Sequence, residues 1–314
     1  MMRRRTLLIS AAGLAAGAQA RSDALRIIVA YPPGGVSDRI ARVFAQRLAP
    51  VLGLPVIVDN RAGAGGSVAL SLVARAAPDE RTLGFCAISP IALLPHFGSA
   101  APAVVPVSGV MRTPLLVLGT PALQAHDFQG VVRDAQRPGA EPLRWATSGV
   151  GTIGHLAVEV VRRELHLPVV HVPYSGGGPQ LQDALAGRFE LLSSNLAPLQ
   201  IEYVRAGRLT ALALGAPRRS TVLPQVPTFA ELGCPGANLS SLFGLFAPQG
   251  TATEAVARMN AACAQVLAQA EFRRVLTEAG NEPADGDAAS FAKEITAQSA
   301  ANAKAVEAMH ASPH

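Results

Sequence analysis

The stretch that most constrains the fold runs from residue 25 to 66, where two apolar runs are each followed by a glycine-rich turn. Leu25 to Tyr31 meets Pro32-Pro33-Gly34-Gly35, and apolar residues then recur at helical spacing. Pro55 to Asn60 leads into Gly63-Ala64-Gly65-Gly66. The pattern predicts two strands that each deliver a loop to the start of a helix. Such loops expose free N–H groups at the positive end of a helix, which suits an anion.

The first of these helices is expected to be capped by Ser37 or Asp38, because short polar side chains accept hydrogen bonds from the first helical turn. For Asp38, capping is favoured over direct contact with a bound anion. Gly34 and Gly35 are equally consistent with a simple turn and with an anion contact.

Strand and helix patterns alternate after this unit with short connections, which predicts an α/β fold with parallel sheets. Residues 67–76 are predicted as a helix and residues 82–88 as a strand. Tyr31, Asn60 and Ser89 close three successive strands. Because ligands sit beyond the carboxyl ends of such strands, the loops that follow should face one crevice.

A second unit of the same kind begins after Thr120-Pro121. Its loops at 147–152 and 174–178 are again rich in small and hydroxyl residues. Before it, two separate strands are expected, one reaching Val110 and one from Pro114 to Gly119. A strand at 242–247 is expected to return the chain to the first unit. We therefore predict two lobes, residues 21–119 with 243–314 and residues 120–242, hinged near 119–120 and 241–242.

The first twenty residues read as an export signal that is removed from the folded protein. Arg3-Arg4-Arg5 is a basic start, residues 7–16 are apolar, and Ala18-Gln19-Ala20 is a cleavage signal. The apolar part is too short to span a membrane as a mature helix. The signal predicts a periplasmic protein, exported by the Sec route or, given Arg4-Arg5, by the twin-arginine route.

Composition excludes several classes of protein. The net charge of +5 includes three arginines of the signal, and aromatic residues make up only 4%, so a nucleic-acid partner is not expected. Cys86, Cys234 and Cys263 are too few and too far apart for a disulfide scaffold or a zinc site. Buried free thiols are favoured over one disulfide.

Motifs for catalysis are missing from the sequence. It contains no P-loop, no G-x-S-x-G elbow and no H-E-x-x-H pair. His155 is favoured as structural over catalytic, and Trp145 as a core residue. The remaining polar loops offer N–H and hydroxyl groups, which bind carboxylate oxygens without transferring a proton. The sequence therefore predicts a binding protein that needs no cofactor or metal.

Six stretches, in order along the chain, resemble the Bug-type periplasmic substrate-binding proteins of tripartite tricarboxylate transporters. They are Tyr31-Pro32-Pro33-Gly34-Gly35 with Asp38, Val58-Asp59-Asn60-Arg61 with Gly63-Ala64-Gly65-Gly66, Gly154-His155-Leu156, His171-Val172-Pro173-Tyr174 with Gly176-Gly177-Gly178-Pro179, Arg219-Ser220 through Gly233, and Gly244-Leu245-Phe246-Ala247-Pro248. Together they span almost the whole mature chain.

The resemblance implies a two-lobed periplasmic-binding-protein fold of type II, in which each lobe is a mainly parallel sheet flanked by helices and the lobes close like a Venus flytrap. It implies a monomer that captures a small organic acid or related polar metabolite and delivers it to a membrane permease. A sensing module for a membrane signalling partner, or a secreted hydrolase using His155, stays open. The implied ligand contacts are Gly34, Gly35, Ser37, Asp38, Gly63, Ala64, Gly65 and Ser89 in the first lobe, and Thr147, Ser148, Gly149, Thr152, His155, Tyr174, Ser175, Gly176, Ser194 and Asn195 in the second.

The chain departs from the family pattern at several positions. Ser175 stands where the family often has Lys or Arg, Ser194 where many members have Asp, Leu242 where Trp is common, and Glu80 breaks the usual Pro-Asp-Gly turn. The two serines make the cleft less charged than usual. We therefore expect a plain carboxylate or a neutral amide as ligand, rather than an amino-acid zwitterion.

Overall fold

The computed structural model describes residues 24–310, so the predicted signal peptide lies outside the described residues. The strands are β1 (Leu25–Val29), β2 (Val56–Asn60), β3 (Thr82–Ala87), β4 (Val104–Gly119), β5 (Leu143–Thr147), β6 (Val169–Pro173), β7 (Leu191–Asn195), β8 (Thr210–Gly215), β9 (Ser240–Pro248) and β10 (Glu282–Pro283). The helices are α1 (Val36–Leu52), α2 (Ser67–Ala74), α3 (Ser89–Ala92), α4 (Phe128–Ala135), α5 (Ile153–Glu164), α6 (Gly177–Leu185), α7 (Pro198–Arg205), α8 (Thr253–Leu267), α9 (Ala270–Glu278) and α10 (Ala288–His310), with short 3-10 turns at Ala64–Gly66, Leu94–Phe97 and Pro235–Ala237.

The strands form two sheets of mixed direction. In the first, β1 lies between β2 and β3 in parallel, and β9 joins β3 to β4 in antiparallel pairing. In the second, β5 lies parallel to β6 and β7, and β4 pairs antiparallel with β7 and β8. The prediction of an α/β fold is confirmed. The sheets are mixed rather than mainly parallel, because the strands that connect the two sheets run against the others.

Strand β4 belongs to both sheets. Its residues from Val104 to Pro114 pair with β9, and those from Leu115 to Gly119 pair with β7 and β8. The prediction of two separate strands here is wrong. Pro106 and Pro114 look like breaks in the sequence, but the pairing with β9 absorbs irregularities through two shifts of register.

Each sheet is covered by helices that bury aromatic side chains. On the first sheet, α1 and α9 bring Phe44 and Phe272 edge-to-face, with ring centroids 5.5 Å apart. On the second, Trp145 is fully buried, as predicted, and Phe128 packs edge-to-face on Phe229 at 5.4 Å. Cys86, Cys234 and Cys263 are free and buried, which confirms that prediction.

Helix α10 touches both sheets. Phe291, near its start, packs on Phe246 of β9 at 5.6 Å, whereas Val306, near its end, lies in the core cluster that holds Trp145. Between them, Nδ2 of Asn302 donates a 2.7 Å hydrogen bond to the carbonyl of Ala92. Within residues 24–310, no helix combines the length and the apolar character needed to cross a membrane.

Candidate ligand-binding site

The first loop of the candidate site is held by the side chain of Asp38. Its carboxylate accepts hydrogen bonds from the Gly34 N–H at 2.9 Å and from Asn60 Nδ2 at 2.8 Å. Arg42 Nε lies 3.0 Å from the same carboxylate, and its Nη2 donates to Asn60 Oδ1 at 2.9 Å. The loop after β1 is thereby tied to the end of β2.

The predicted cap of α1 is wrong in detail. The helix begins at Val36, its N-cap is Gly35, and no side chain caps it. Asp38 lies inside the first turn and reaches back to the N–H of Gly34 instead. Ser37 and Asp38 are 5% and 3% exposed, so the first turn is buried against the rest of the lobe.

Asp38 stays ionised despite its burial. Burial alone would raise the pKa of this carboxyl, but the hydrogen bonds from Arg42, from the Gly34 N–H and from Asn60 together hold the pKa below its ordinary value. The negative charge of Asp38 is therefore already hydrogen-bonded to groups that hold the loop in place.

In the second loop, Gly63–Gly66, every residue has a positive φ, in the left-handed region of backbone conformation. Gly63, Gly65 and Gly66 have φ of 139°, 63° and 106°, and Ala64 has φ of 45°. A Cβ on Gly66 would lie 2.4 Å from the Cys86 sulfur, so only glycine fits there. The turn leads straight into α2, and the neighbouring Ser89 opens α3 and is 6% exposed.

In the second lobe, the loop after β5 is closed by threonine hydroxyls. Thr152 caps α5 by accepting from the His155 N–H at 3.3 Å, and it donates to the Gly149 carbonyl at 2.8 Å. Thr147 is fully buried, with its hydroxyl 2.7 Å from His171 Nε2. Gly149 has φ of 147° and lies close to the Tyr174 carbonyl. The loop around Ser148 is therefore set by its own hydrogen bonds.

His155 sits in a stack of rings. It lies parallel to His171, with centroids 4.2 Å apart, and 5.0 Å from Phe97. Its Nδ1 accepts the N–H of Gly151 at 3.2 Å. Burial, the neighbouring His171 and Arg162 lower the pKa of His155 to about 4, and burial also lowers the pKa of His171. Both rings are neutral at neutral pH, and His155 is only 8% exposed.

The remaining second-lobe candidates lie at the ends of β6 and β7. The Tyr174 hydroxyl donates to Asp183 at 2.8 Å, and burial together with that bond raises the pKa of the hydroxyl. Ser175 and Gly176 follow in the turn before α6, where a Cβ on Gly176 would meet no atom within 4 Å. Ser194 and Asn195 end β7 and are half-buried.

The loops of the two lobes approach each other. A Cβ built on Gly65 would lie 3.4 Å from Thr152 Cγ2, and one on Gly151 would collide with Leu94. These contacts join the turn before α2 and the segment after α3 to the start of α5. The structure thus places the Gly63–Gly66 turn beside the loop that precedes α5.

Three residues that hold this site were missing from the candidates drawn from the sequence. Arg42 and Asn60 complete the cage around Asp38, and Ser241 of β9 donates to Asn195 Oδ1 at 3.0 Å. Asn60 could have been found, since it ends β2 beside the glycine-rich turn. Arg42 could also have been found, since it follows Asp38 by one helical turn, whereas Ser241 depends on strand pairing between distant segments.

The chemistry offered by these loops is hydrogen-bond donation. Asp38 is occupied by three donors, and Asp183 is bound by Tyr174 and by Arg188 at 3.1 Å. Thr147 and His171 form a hydroxyl–imidazole pair, but the burial of Thr147 keeps a substrate from reaching it. The geometry suits binding of a ligand better than attack on it.

Solved structures share this mixed α/β fold, and their class is that of two-lobed periplasmic binding proteins. A structure described as a periplasmic transporter is 34% identical, with a TM-score of 0.84 over 92% of this chain and 97% of that one. The structure of R. palustris Rpa4515 with adipate is 30% identical, with a TM-score of 0.83 over 91% and 97%. MatC from Rhodopseudomonas palustris with bound malate is 28% identical, with a TM-score of 0.81 over 90% and 98%.

The sequence comparisons identify the family. Residues 40–310 match the tripartite tricarboxylate transporter family receptor model. Protein BugT of Bordetella pertussis is 36% identical over 264 residues, which cover 81% of this chain and 80% of the relative. The chain therefore belongs to the tripartite tricarboxylate transporter receptor family, as its motifs indicated.

Proposed function

We propose that this protein is an extracytoplasmic solute-binding receptor that captures a small carboxylate between its two lobes and delivers it to a permease of the tripartite tricarboxylate type. The observation that carries the proposal is the donor-rich pair of facing loops, in which the carboxylates of Asp38 and Asp183 are already bound within the chain. Relatives of nearly the same length hold adipate and malate.

The roles of the individual loops follow from their chemistry. The N–H groups of Gly35 and of Ala64-Gly65 would bind one carboxylate, since the Gly34 N–H is bonded to Asp38 and the Gly66 N–H to Gly63. Ser148-Gly149, Ser175-Gly176 and Ser194-Asn195 would bind the other end of the ligand. Asp38 acts as a support of the first loop and His155 as a support of α5. Since ligand would touch both lobes only when they are closed, binding would shift the protein towards that state.

Binding is tested by thermal unfolding of protein stripped of ligand, with adipate, malate and their diamides added in turn. An acid at a hundred times its Kd should stabilise the fold by about 2.7 kcal/mol, and a diamide, which lacks the charge, should do so less. No shift with either acid, in a calorimetric titration as well, would contradict the proposal.

Export and delivery need tests of their own. Periplasmic extracts should contain a chain that begins at Arg21, as read by N-terminal sequencing. Cells that lack the receptor should lose uptake of the acid it binds, and a copy without residues 1–20 should not restore it. Normal uptake without the receptor would argue instead for a sensing role.

A further inference from the structure

The second lobe carries an apolar groove on its outer surface, between α4, the end of α5 and the turn at 229–233. The groove has a volume of about 340 Å³, and none of the residues that line it belongs to the ligand loops. Its apolar lining is formed by Phe128, Val132, Leu165 and Leu232. Phe128 is buried and the other three are half-buried, so an apolar floor is open to a partner at this place.

Hydrogen bonds within the lobe fix the walls of this groove. Gln136 Nε2 donates to the Leu165 carbonyl at 2.8 Å, which ties the end of α4 to the end of α5. Glu231 accepts the Thr228 N–H at 2.7 Å and so closes the turn that carries Leu232. The groove is therefore preformed, which lowers the cost of ordering it when a partner binds.

The rim of the groove carries a positive charge without a negative partner. Arg133 lines the groove and is exposed, and no ion pair joins it to a carboxylate among the described residues. Asp134, the next residue of α4, pairs with Arg137 at 2.9 Å, and Asp127 caps the helix by accepting the Gly130 N–H at 2.6 Å. A partner that covers the groove would therefore meet apolar side chains beside an unpaired guanidinium.

The permease of the proposed function has the chemistry that matches this surface. In membrane proteins, Lys and Arg are concentrated in the cytoplasmic loops, so the loops on the outer face are depleted of positive charge. An outer loop or short helix that carries an apolar side chain and a carboxylate could bury the first in the groove and pair the second with Arg133. A positively charged partner would be repelled by the same residue.

We propose that the groove between α4 and α5 is a docking site for an outer loop of the permease, which inserts an apolar side chain between Val132, Leu165 and Leu232 and places a carboxylate against Arg133. The inference rests on the proposed function, which supplies the permease as the partner. Because the groove lies outside the ligand loops, delivery of the ligand can be impaired without a change in its binding.

The test measures delivery and binding separately. Arg133→Glu and Val132→Asn are expressed at low level in cells that lack their own copy of the receptor. Uptake of malate or adipate, whichever wild type binds, is compared with the Kd of each purified variant for the same acid. Arg133→Glu should lower uptake by at least about tenfold, because a repulsion replaces an ion pair, and Val132→Asn by at least about fivefold. The Kd of both variants should stay within about twofold of wild type.

Arg205→Glu is the matched control. Arg205 also lies in the last turn of an eight-residue helix of the second lobe, is exposed and has no ion pair among the described residues, but it does not line the groove. Its substitution should leave uptake at the wild-type level. Thermal unfolding checks that each variant is folded, and Arg133→Glu alone decides if Val132→Asn is not.

Three results would overturn the docking site while leaving the proposed function intact. They are wild-type uptake with Arg133→Glu, an equal loss with Arg205→Glu, and a loss of affinity for the acid that matches the loss of uptake. Light scattering that finds wild type as a dimer and Arg133→Glu as a monomer would assign the groove to a second copy of the chain instead. If wild type binds neither acid, or if uptake is normal without the receptor, the proposed function fails together with this inference.

Discussion

The side chain of Asp38 binds its own loop and leaves little of its carboxylate for another partner. Charged hydrogen bonds of this kind are worth more than neutral ones, and a buried charge that loses its partners is costly. Here the donors come from β2, from α1 and from the backbone of the loop. The geometry of the first ligand loop therefore depends on a residue that the ligand need not touch.

Asp38→Asn should lower the free energy of unfolding by about 1–3 kcal/mol, because Arg42 loses its buried partner. The native pKa of Asp38 lies below its ordinary value of 3.8, so this stabilisation is present above that pH and is lost as the pH falls through the native pKa. Urea unfolding at neutral pH and at pH 3 measures both effects. Asp59→Asn, which alters a more exposed ion pair with Arg61, should change stability by less than about 0.5 kcal/mol. Equal losses of unfolding free energy in Asp38→Asn and Asp59→Asn would contradict the hydrogen-bonded cage described around Asp38.

His155 also predicts a loss of stability as the pH falls, but in a higher pH window. The unfolded chain takes up a proton near pH 6.5, whereas native His155 does so only near pH 4. Stability is therefore full above pH 6.5 and falls as the pH drops towards 4, by roughly 2–3 kcal/mol at most. His155→Asn, which keeps an acceptor for the Gly151 N–H, should unfold with less dependence on pH across this window. The exposed His126→Asn is the control, and a pH profile of His155→Asn that matches wild type would refute the assignment.

Among the elements, the glycine-rich turns were predictable and strand β4 was not. Runs such as Gly63-Ala64-Gly65-Gly66 predict a turn from the local sequence alone, because left-handed backbone conformations favour glycine. Strand β4 contains Pro106, Gly109 and Pro114, and its continuity comes from pairing with β9, which lies far along the chain. The same reason hides Ser241, whose partner Asn195 is brought near only by strand register.

The turn before α2 gives a direct test at this scale. Gly66→Ala should destabilise the protein by more than the roughly 1–2 kcal/mol expected for left-handed strain alone, because the new methyl would lie 2.4 Å from the Cys86 sulfur. Gly53→Ala, with φ of 68° and no atom within 4 Å, should show the strain without the clash. Chemical denaturation compares the two. Equal losses would mean that the turn is not packed against β3 as described.

The whole molecule is two sheets that share β4, with loops from both meeting where Gly65 faces Thr152. Helix α10 runs from the first sheet to the core of the second, so the lobes are joined by more than the crossing strands. The α/β class followed from the alternating pattern of the sequence, and the family followed from its motifs. How closely the lobes approach each other depends on packing between distant residues such as Leu94 and Gly151, which no local pattern reveals.

The most direct test of the account is a crystal structure with the tighter-binding of adipate and malate. The acid should lie between the lobes, with one carboxylate within hydrogen-bond distance of N–H groups in the Gly34-Gly35 or Gly63–Gly66 loops. Its other end should contact the second lobe at Ser148-Gly149, Ser175-Gly176 or Asn195. A ligand that contacts only one lobe, or that binds away from these loops, would contradict the proposed clamp.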